Sequence, residues 1–496
     1  MKIRAFAFLL FSLLFVSSLI SCRKDKFSDS PGLTLEFSTD TVLFDTVFTT
    51  VGSATRTLKV YNRNKENIII SNISLDLQSQ SKFRMNVDGV SGYNHSDIEL
   101  RRGDSLFIFI EVTLDPNNAG IPFIVEEKLS FQTNGNDQEV LLAAWGQDAY
   151  FHGAVNSFFV LPCVEIWNND KPHVIYGVVI VDEDCELLIN AGTKVHAHAK
   201  SGIWVLKGKI LVNGQKDNEV VFQGDRLESS YANIPGQWGL QFDFPLDDDD
   251  FGSPIATLVR GGIWLSESTG SAINYAIIKN AGVGIWVDTL GTQGQDALTL
   301  TNTRIDNMVA HGLMAQGAKI SGFNNLITNC GEACMALTIG GEYQFDYLTL
   351  ANYWTRSTRQ TPTFVLRNHY ESDNETIIRP LTNTVIRNCV IYGNNAQIND
   401  FDEFVVDIKD EELQNYFFSH CLVDTELDIS NTNPRYFEMR KNAVPPFKDS
   451  SNGNFRLLND GSLVQGDFIS PPTFDLDGNP RIQGSTAEKG CYEYVP

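Results

Sequence analysis

Basic residues are scarce in this chain. Its 38 lysines and arginines face 61 aspartates and glutamates, a formal charge of −23 over 496 residues. So acidic a surface repels nucleic acid and anionic headgroups, and excludes nucleic acid as a partner held by charge. Long apolar runs are missing too: beyond the first residues no stretch is long and apolar enough to span a membrane. No phosphate-binding loop or dinucleotide fingerprint occurs. The cysteines form no zinc pattern, because Cys330-Gly-Glu-Ala-Cys334 has no second Cys/His pair at a fitting distance.

What is present begins at the N-terminus. Lys2 and Arg4 precede an apolar run, Ala5 to Val16, and a small-residue stretch, Ser17 to Ser21, closing on Cys22. This reads as a secretory signal, since the run is too short to span. Leu19-Ile20-Ser21-Cys22 resembles the lipobox of bacterial lipoproteins. The resemblance implies cleavage before Cys22, lipidation of its thiol and a membrane partner reached through that anchor. It also implies a cell-envelope, outer-membrane location, with the surface and periplasmic faces both open. Residues 1–21 are then the signal and residues 22–32 a tether. Export makes disulfides available, with Cys163–Cys185 and Cys330–Cys334 as candidate pairs.

Residues 33–149 alternate apolar and polar positions in short strands, with Asn134-Gly135 as a hairpin signal. Strands so spaced predict a β-sandwich. The segment resembles immunoglobulin-like modules of the ASH/HYDIN type: Val51-Gly52 before a strand ending at Asn62, a turn at Arg102-Gly103-Asp104-Ser105 before a strand running to Pro116, and a close at Trp145-Gly146. Modules of that type imply a spacer or adaptor.

Beyond residue 150 the pattern changes. Gly-Ile-Trp stands at 202–204, 262–264 and 284–286, and aligning Ile/Leu-x-Asn units puts Asn280, Asn307, Asn329 and Asn352 in register. A fifth unit offers Asn388 or Asn394. A period of roughly 22 residues made of short strands predicts a solenoid. One coil cannot bury its own apolar side, whereas stacked coils pair all the backbone. The expected fold is therefore all-β: a right-handed parallel β-helix, pectate-lyase-like, over residues 150–465, preceded by the β-sandwich. The aligned asparagines read as a structural ladder along the turns. Ala191-Gly192-Thr193 through Gly224, and Trp238-Gly239-Leu240, resemble the opening coils of extracellular β-helix proteins. Asp475, Gly478, Arg481, Gly490 and Glu493 resemble their terminal motif, with Lys489 and Cys491 departing from it, which implies a capping role for residues 466–496.

Enzymes on β-helices are mostly polysaccharide lyases and glycosidases. A lyase needs a base and often Ca²⁺. Arg356, Arg359 and Lys279 are candidate bases, and Asp247, Asp248, Asp249 and Asp250 the candidate metal ligands; the bland reading of that acidic run is a solvated loop tip. Asp306 and His311 hint at a hydrolase, yet the paired aspartates and the basic element are missing, so the catalytic residues stay unassigned. Strand alternation turns Trp264 and Trp286 outward, where indole faces suit sugar rings. The competing reading has loop insertions, notably residues 353–383, folded over this wall, making the tryptophans a satellite core. The sequence thus points to a lipid-anchored envelope protein presenting a non-catalytic β-helix surface for glycan binding or adhesion. The alternative is a polysaccharide lyase or glycoside hydrolase. Apart from Ca²⁺ no cofactor is expected, polysaccharide is the expected ligand, and the oligomeric state is open.

Overall fold

Strands with one buried and one exposed residue in alternation build both units of the chain, which divides between Asp148 and Ala149. The computed structural model describes residues 26–117, 122–245, 255–288, 295–372, 375–394, 402–458, 461, 463–481 and 486–495. Cys22 and Asp247 to Asp250 lie outside the described residues.

The N-terminal unit is a two-sheet sandwich. One sheet runs Phe27–Ser28, Asn67–Leu75, Phe123–Thr133, Asn136–Gln147, Thr41–Phe48, with Asn94–Leu100 also on Asn67–Leu75. The other runs Glu36–Phe37, Arg56–Tyr61, Ser105–Val112, Phe83–Val87, Val90–Gly92. In Ser105–Val112, Leu106, Ile108, Ile110 and Val112 enter the core, while Phe107 and Phe109 face out. Asn134 and Gly135 take φ of 52° and 80°, the left-handed pair that a two-residue hairpin turn needs. Asn62 is buried; its amide donates to the Glu66 and Leu100 carbonyls at 2.9 and 3.0 Å, and its backbone bonds Gly103 and Asp104. The strand-ending asparagine and the Arg102–Ser105 turn of the sequence pattern are thus one hydrogen-bonded unit.

The second unit is a right-handed parallel β-helix with three faces. A coil takes one strand to each face in turn. Ala276–Lys279, Arg304–Met308, Leu326–Cys330, Thr349–Asn352 and Val390–Gly393 stack on the first face. Ile263–Ser266, Ile285–Asp288, Leu313–Gln316, Met335–Thr338 and Phe364–Arg367 stack on the second. Ser271–Asn274, Leu298–Thr301, Lys319–Phe323, Gly341–Asp346 and Leu381–Arg387 stack on the third. Each inward position repeats its chemistry from coil to coil. Ile203, Ile263, Ile285, Leu313, Met335, Phe364 and Phe404 form one buried column. Cys163 and Cys185, on adjacent coils, are joined by a disulfide, whereas Cys330 and Cys334 are free and buried.

The terminal motif residues bind one another and lie against the outside of the first face. Arg481, fully buried, donates to Glu493 at 2.7 Å and to the Gly490 carbonyl at 3.0 Å, and stacks 3.9 Å from the Tyr347 ring. Asp475 accepts from the Glu493 and Asn479 amides at 2.8 and 2.6 Å. Their outside partners, Asn324, Thr349 and Asn388, belong to three different coils. Burial and the neighbouring Glu488 raise the Glu493 carboxyl to about 9. Leu476, Cys491 and Tyr492 cover Leu326 and Ala351, making a satellite core on the outside of the first face.

At the other end, Tyr150–Val160 pairs on His173–Val181. Here His152 Nε2 lies 2.9 Å from His173 Nδ1, and both rings stack on Trp167. Around them, Asp170 accepts from the Tyr150 hydroxyl, Glu165 from the Trp167 indole, and Lys171 lies over the Tyr150 ring. Burial lowers both histidines to about 4 from 6.5, and His196, farther along, likewise. The unfolded chain therefore binds more protons than the folded one between pH 6.5 and 4, so stability is full above that window and falls as the pH drops through it. Unfolding free energies from urea melts should decline across that window by up to ~3 kcal/mol per imidazole, and His173→Asn should flatten the slope; equal free energies at both ends would contradict the account.

Candidate functional site

Trp204, Trp264 and Trp286 form one outward column on the second face. The Trp204 and Trp264 rings stack at 4.6 Å, 9° from parallel. Trp264 and Trp286 donate their indole N–H groups to the two oxygens of Asp288, at 2.7 and 2.6 Å. The Arg260 guanidinium lies 5.4 and 4.6 Å from their ring centroids, and burial lowers its pKa. The alternation read from the sequence is present, but the rings stack on one another and on Arg260, which leaves little open platform for a sugar. The competing reading holds in part: Trp204 and Trp264 belong to a satellite core with Val178, Ile180, Leu206 and Leu240, so the covering residue is Leu240 and comes from before residue 353. Within the 353–383 insertion, Arg356 donates to the Asn233 carbonyl, Arg359 pairs with Glu403, and His369–Ser372 folds back on Glu375–Ile378.

Asn280, Asn307, Asn329 and Asn352 do share a register at the exit of the first face. Only one rung joins amide to amide, Asn307 donating to Asn280 at 2.6 Å. Asn329 donates instead to Asp306 at 2.9 Å, and Asn352 to the Glu332 carbonyl at 2.8 Å. The first three have φ of 64°, 62° and 51°, the left-handed region where asparagine is the favoured non-glycine residue. The fifth position of the column is Gly393, neither Asn388 nor Asn394, and a Cβ there would collide with Glu403. A second ladder escaped the sequence reading. Asn302 donates to Asn274 at 2.9 Å and Asn324 to Asn302 at 3.0 Å.

Beside the first column lies a hollow of about 600 Å³, lined by Asp306, Asn307, Asn329, Tyr353, Trp354 and Arg356, and walled by residues 450–453. Three separate excursions build it. Asn233 accepts from Asn307 at 2.9 Å and from Arg356, tying the 225–240 loop to the insertion. Trp354 donates to Ser357 at 2.9 Å, and Asn394 to the Trp354 carbonyl at 3.3 Å. Asp306 accepts from Thr328 at 2.6 Å as well as from Asn329. Burial raises the Tyr353 hydroxyl to about 12, so it stays a neutral donor.

Asp306 and Arg356, chosen from the sequence for two different reactions, therefore line one hollow. The other candidates lie apart from it. His311 pairs with Glu332 at 2.8 Å and accepts from the Ala333 amide. Arg359 is buried in a two-pronged pair with Glu403 at 2.8 and 2.6 Å and is thereby unsuited to act as a base. Lys279 sits one coil from Asp306 in the same register but does not line the hollow.

A second hollow, about 390 Å³, lies on the third face among Asp296, Lys319, Ser321, Glu342, Gln344 and Arg387. Lys319 Nζ stands 3.8 Å from Asp296 and 3.3 Å from Glu342. Ser321 donates to Asp296, and Arg387 grips Asp346 at 2.7 and 2.9 Å. These are paired carboxylates, and the Lys319 ammonium stands between them, in the space a substrate would need. Among the described residues no group of three or more His, Cys, Asp or Glu is placed to hold a metal.

No protein-family model and no curated protein matches the chain. Among solved structures, the catalytic unit of a GH87 α-1,3-glucanase from Streptomyces thermodiastaticus is 11% identical, with 74% of this chain and 78% of that one covered and a TM-score of 0.22. An ASH/PapD-like domain of human CEP192 covers 26% of this chain and 94% of its own, at 11% identity and a TM-score of 0.16. A Porphyromonas gingivalis protein of unknown function covers 25%, at 11% identity and a TM-score of 0.18, and the chain spans 50% of its length. The strand registers, not these likenesses, establish the fold.

If the tryptophan column is a clasp, Asp288 matters to stability. Asp288→Ala should cost roughly 2–3 kcal/mol in urea unfolding, because two indole donors lose their acceptor. An unchanged midpoint would show the column to be loose.

Proposed function

We propose that this protein is a lipid-anchored component of the bacterial cell envelope, tethered through Cys22, whose β-helix holds a polysaccharide in the Asp306–Arg356 hollow. One observation carries the reading: three excursions of the chain converge to put a carboxylate, amides, an arginine and the half-buried Tyr353 ring around one space of about 600 Å³. Sugar rings offer hydroxyls that suit mixed donors and acceptors, and C–H faces that suit aromatic rings. A single carboxylate among the residues lining that hollow favours binding over hydrolysis there, since hydrolysis needs an acid and a base.

Glycoside hydrolysis is the second reading, favoured by Asp296 and Glu342 lining one hollow on the third face. It requires Lys319 to leave its position between them in the bound state.

One experiment tests both. The protein is incubated with a panel of neutral and uronic-acid polysaccharides, and retention, new reducing ends and absorbance from unsaturated products are followed. Retention without new ends is expected, with Asp306→Asn and Arg356→Ala each weakening it about tenfold, the worth of one charged hydrogen bond. New reducing ends abolished by Glu342→Gln would establish the hydrolase instead. No retention and no product across the panel would count against both.

A further inference from the structure

The cysteines follow the same stacking rule as the asparagines and tryptophans. Cys163 immediately precedes Val164–Trp167, Cys185 immediately precedes Glu186–Asn190, and Val164 is paired with Glu186. Each cysteine thus sits one coil from the other at the same register. Their Cα atoms are 4.4 Å apart, the Glu186 amide donates to the Cys163 carbonyl at 2.8 Å, and the two sulfurs are bonded.

The same arrangement recurs on the first face. Cys389 immediately precedes Val390–Gly393, Cys421 immediately precedes Leu422–Val423, and Val390 is paired with Leu422. The Leu422 amide donates to the Cys389 carbonyl, again at 2.8 Å. Both cysteines are buried, and each thiol donates to the carbonyl two residues before it, Cys389 to Arg387 at 3.1 Å and Cys421 to Ser419 at 3.2 Å. Adjacent parallel strands lie about 4.8 Å apart, which is within the Cα separation a disulfide takes. Cys330 differs: its register partner on the preceding coil is Met308, and Cys334 is four residues away on its own coil.

We infer that Cys389 and Cys421 form a second coil-to-coil disulfide when the chain folds under oxidising conditions. The two thiols lose two protons and two electrons to an organic disulfide such as oxidised glutathione, which departs as two thiols. Folding order matters. Once the coils close, the pair is shut off from solvent, and burial holds the Cys389 thiol in its protonated, unreactive form. The bond therefore forms as the last coils assemble and not in the finished fold. It fastens the coil that carries Glu403, the partner of Arg359, and so bears on the insertion that walls the Asp306 hollow.

The test has its standard built in. The full chain is reduced, unfolded and refolded in glutathione buffers stepped toward the oxidising side until Cys163–Cys185 closes; it is then alkylated, digested and mapped by mass spectrometry. The expected map has a peptide pair linking Cys389 to Cys421, about 2 Da lighter than the two reduced peptides, with alkyl groups on Cys330, Cys334 and Cys491. Alkylated Cys389 and Cys421 beside a closed Cys163–Cys185 would overturn the inference, as would either one bridged to another cysteine. Cys421→Ser should leave Cys389 alkylated and Cys163–Cys185 intact. Transfer of Cys389 to Cys330 or Cys334 in that variant would also overturn it.

Discussion

In a parallel β-helix each side chain has the side chain of the same coil position about 4.8 Å above and below it. Everything else in this unit answers to that spacing. Apolar and aromatic groups gain from meeting their own kind, so Phe364 stacks on Phe404 at 5.4 Å inside and Trp204 on Trp264 at 4.6 Å outside. Some amides gain likewise, Asn307 donating to Asn280 and Asn324 to Asn302 on the preceding coil. Like charges do not, and on the walls they alternate. Lys209 faces Glu186, Lys319 faces Glu342, Arg387 faces Asp346 and Arg367 faces Asp407, each one coil apart in register. A chain this acidic stacks where its few cations are spent neutralising the columns, and several of its arginines and lysines are used in this way.

The places available for binding are where the stacking is interrupted. The described parts of the excursions at 225–245, 255–262 and 353–363, together with those of the C-terminal segment, are released from the columns and lie against the coils. The tie between Arg356 and Asn233 spans 123 residues of sequence. Buried pairs hold the returning segments: Arg359 with Glu403 for the insertion, Arg481 with Glu493 for the C-terminal flank. The Arg359–Glu403 ion pair is costly to desolvate and costlier to break, which suits a role in fixing one position over its neighbours.

Much of the fold was legible because stacking writes the same letter at the same interval. Ile-x-Asn, Gly-Ile-Trp and the spacing of the turns gave the coil period, and the hairpin at Asn134-Gly135 forms as its pattern implies. Columns of mixed chemistry were not legible. Lys319, Glu342 and Asn383 occupy one register but share no letter, so the third-face hollow left no periodic trace. Arg260 reaches the tryptophans at the end of an inserted hairpin, Gln241–Pro245 with Ile255–Val259, so no interval predicts it. Asp306 and Arg356 were each singled out, but their meeting depends on how a long insertion returns to the wall.

The account's central claim is that the excursions, and not the regular wall, make the binding site. A crystal structure of the protein soaked with an oligosaccharide that it retains tests this most directly. The sugar is expected against Tyr353, with Asp306 and Arg356 within about 3 Å of its hydroxyls. Density beside Lys319 and Glu342, or against Trp264 and Trp286, would contradict it.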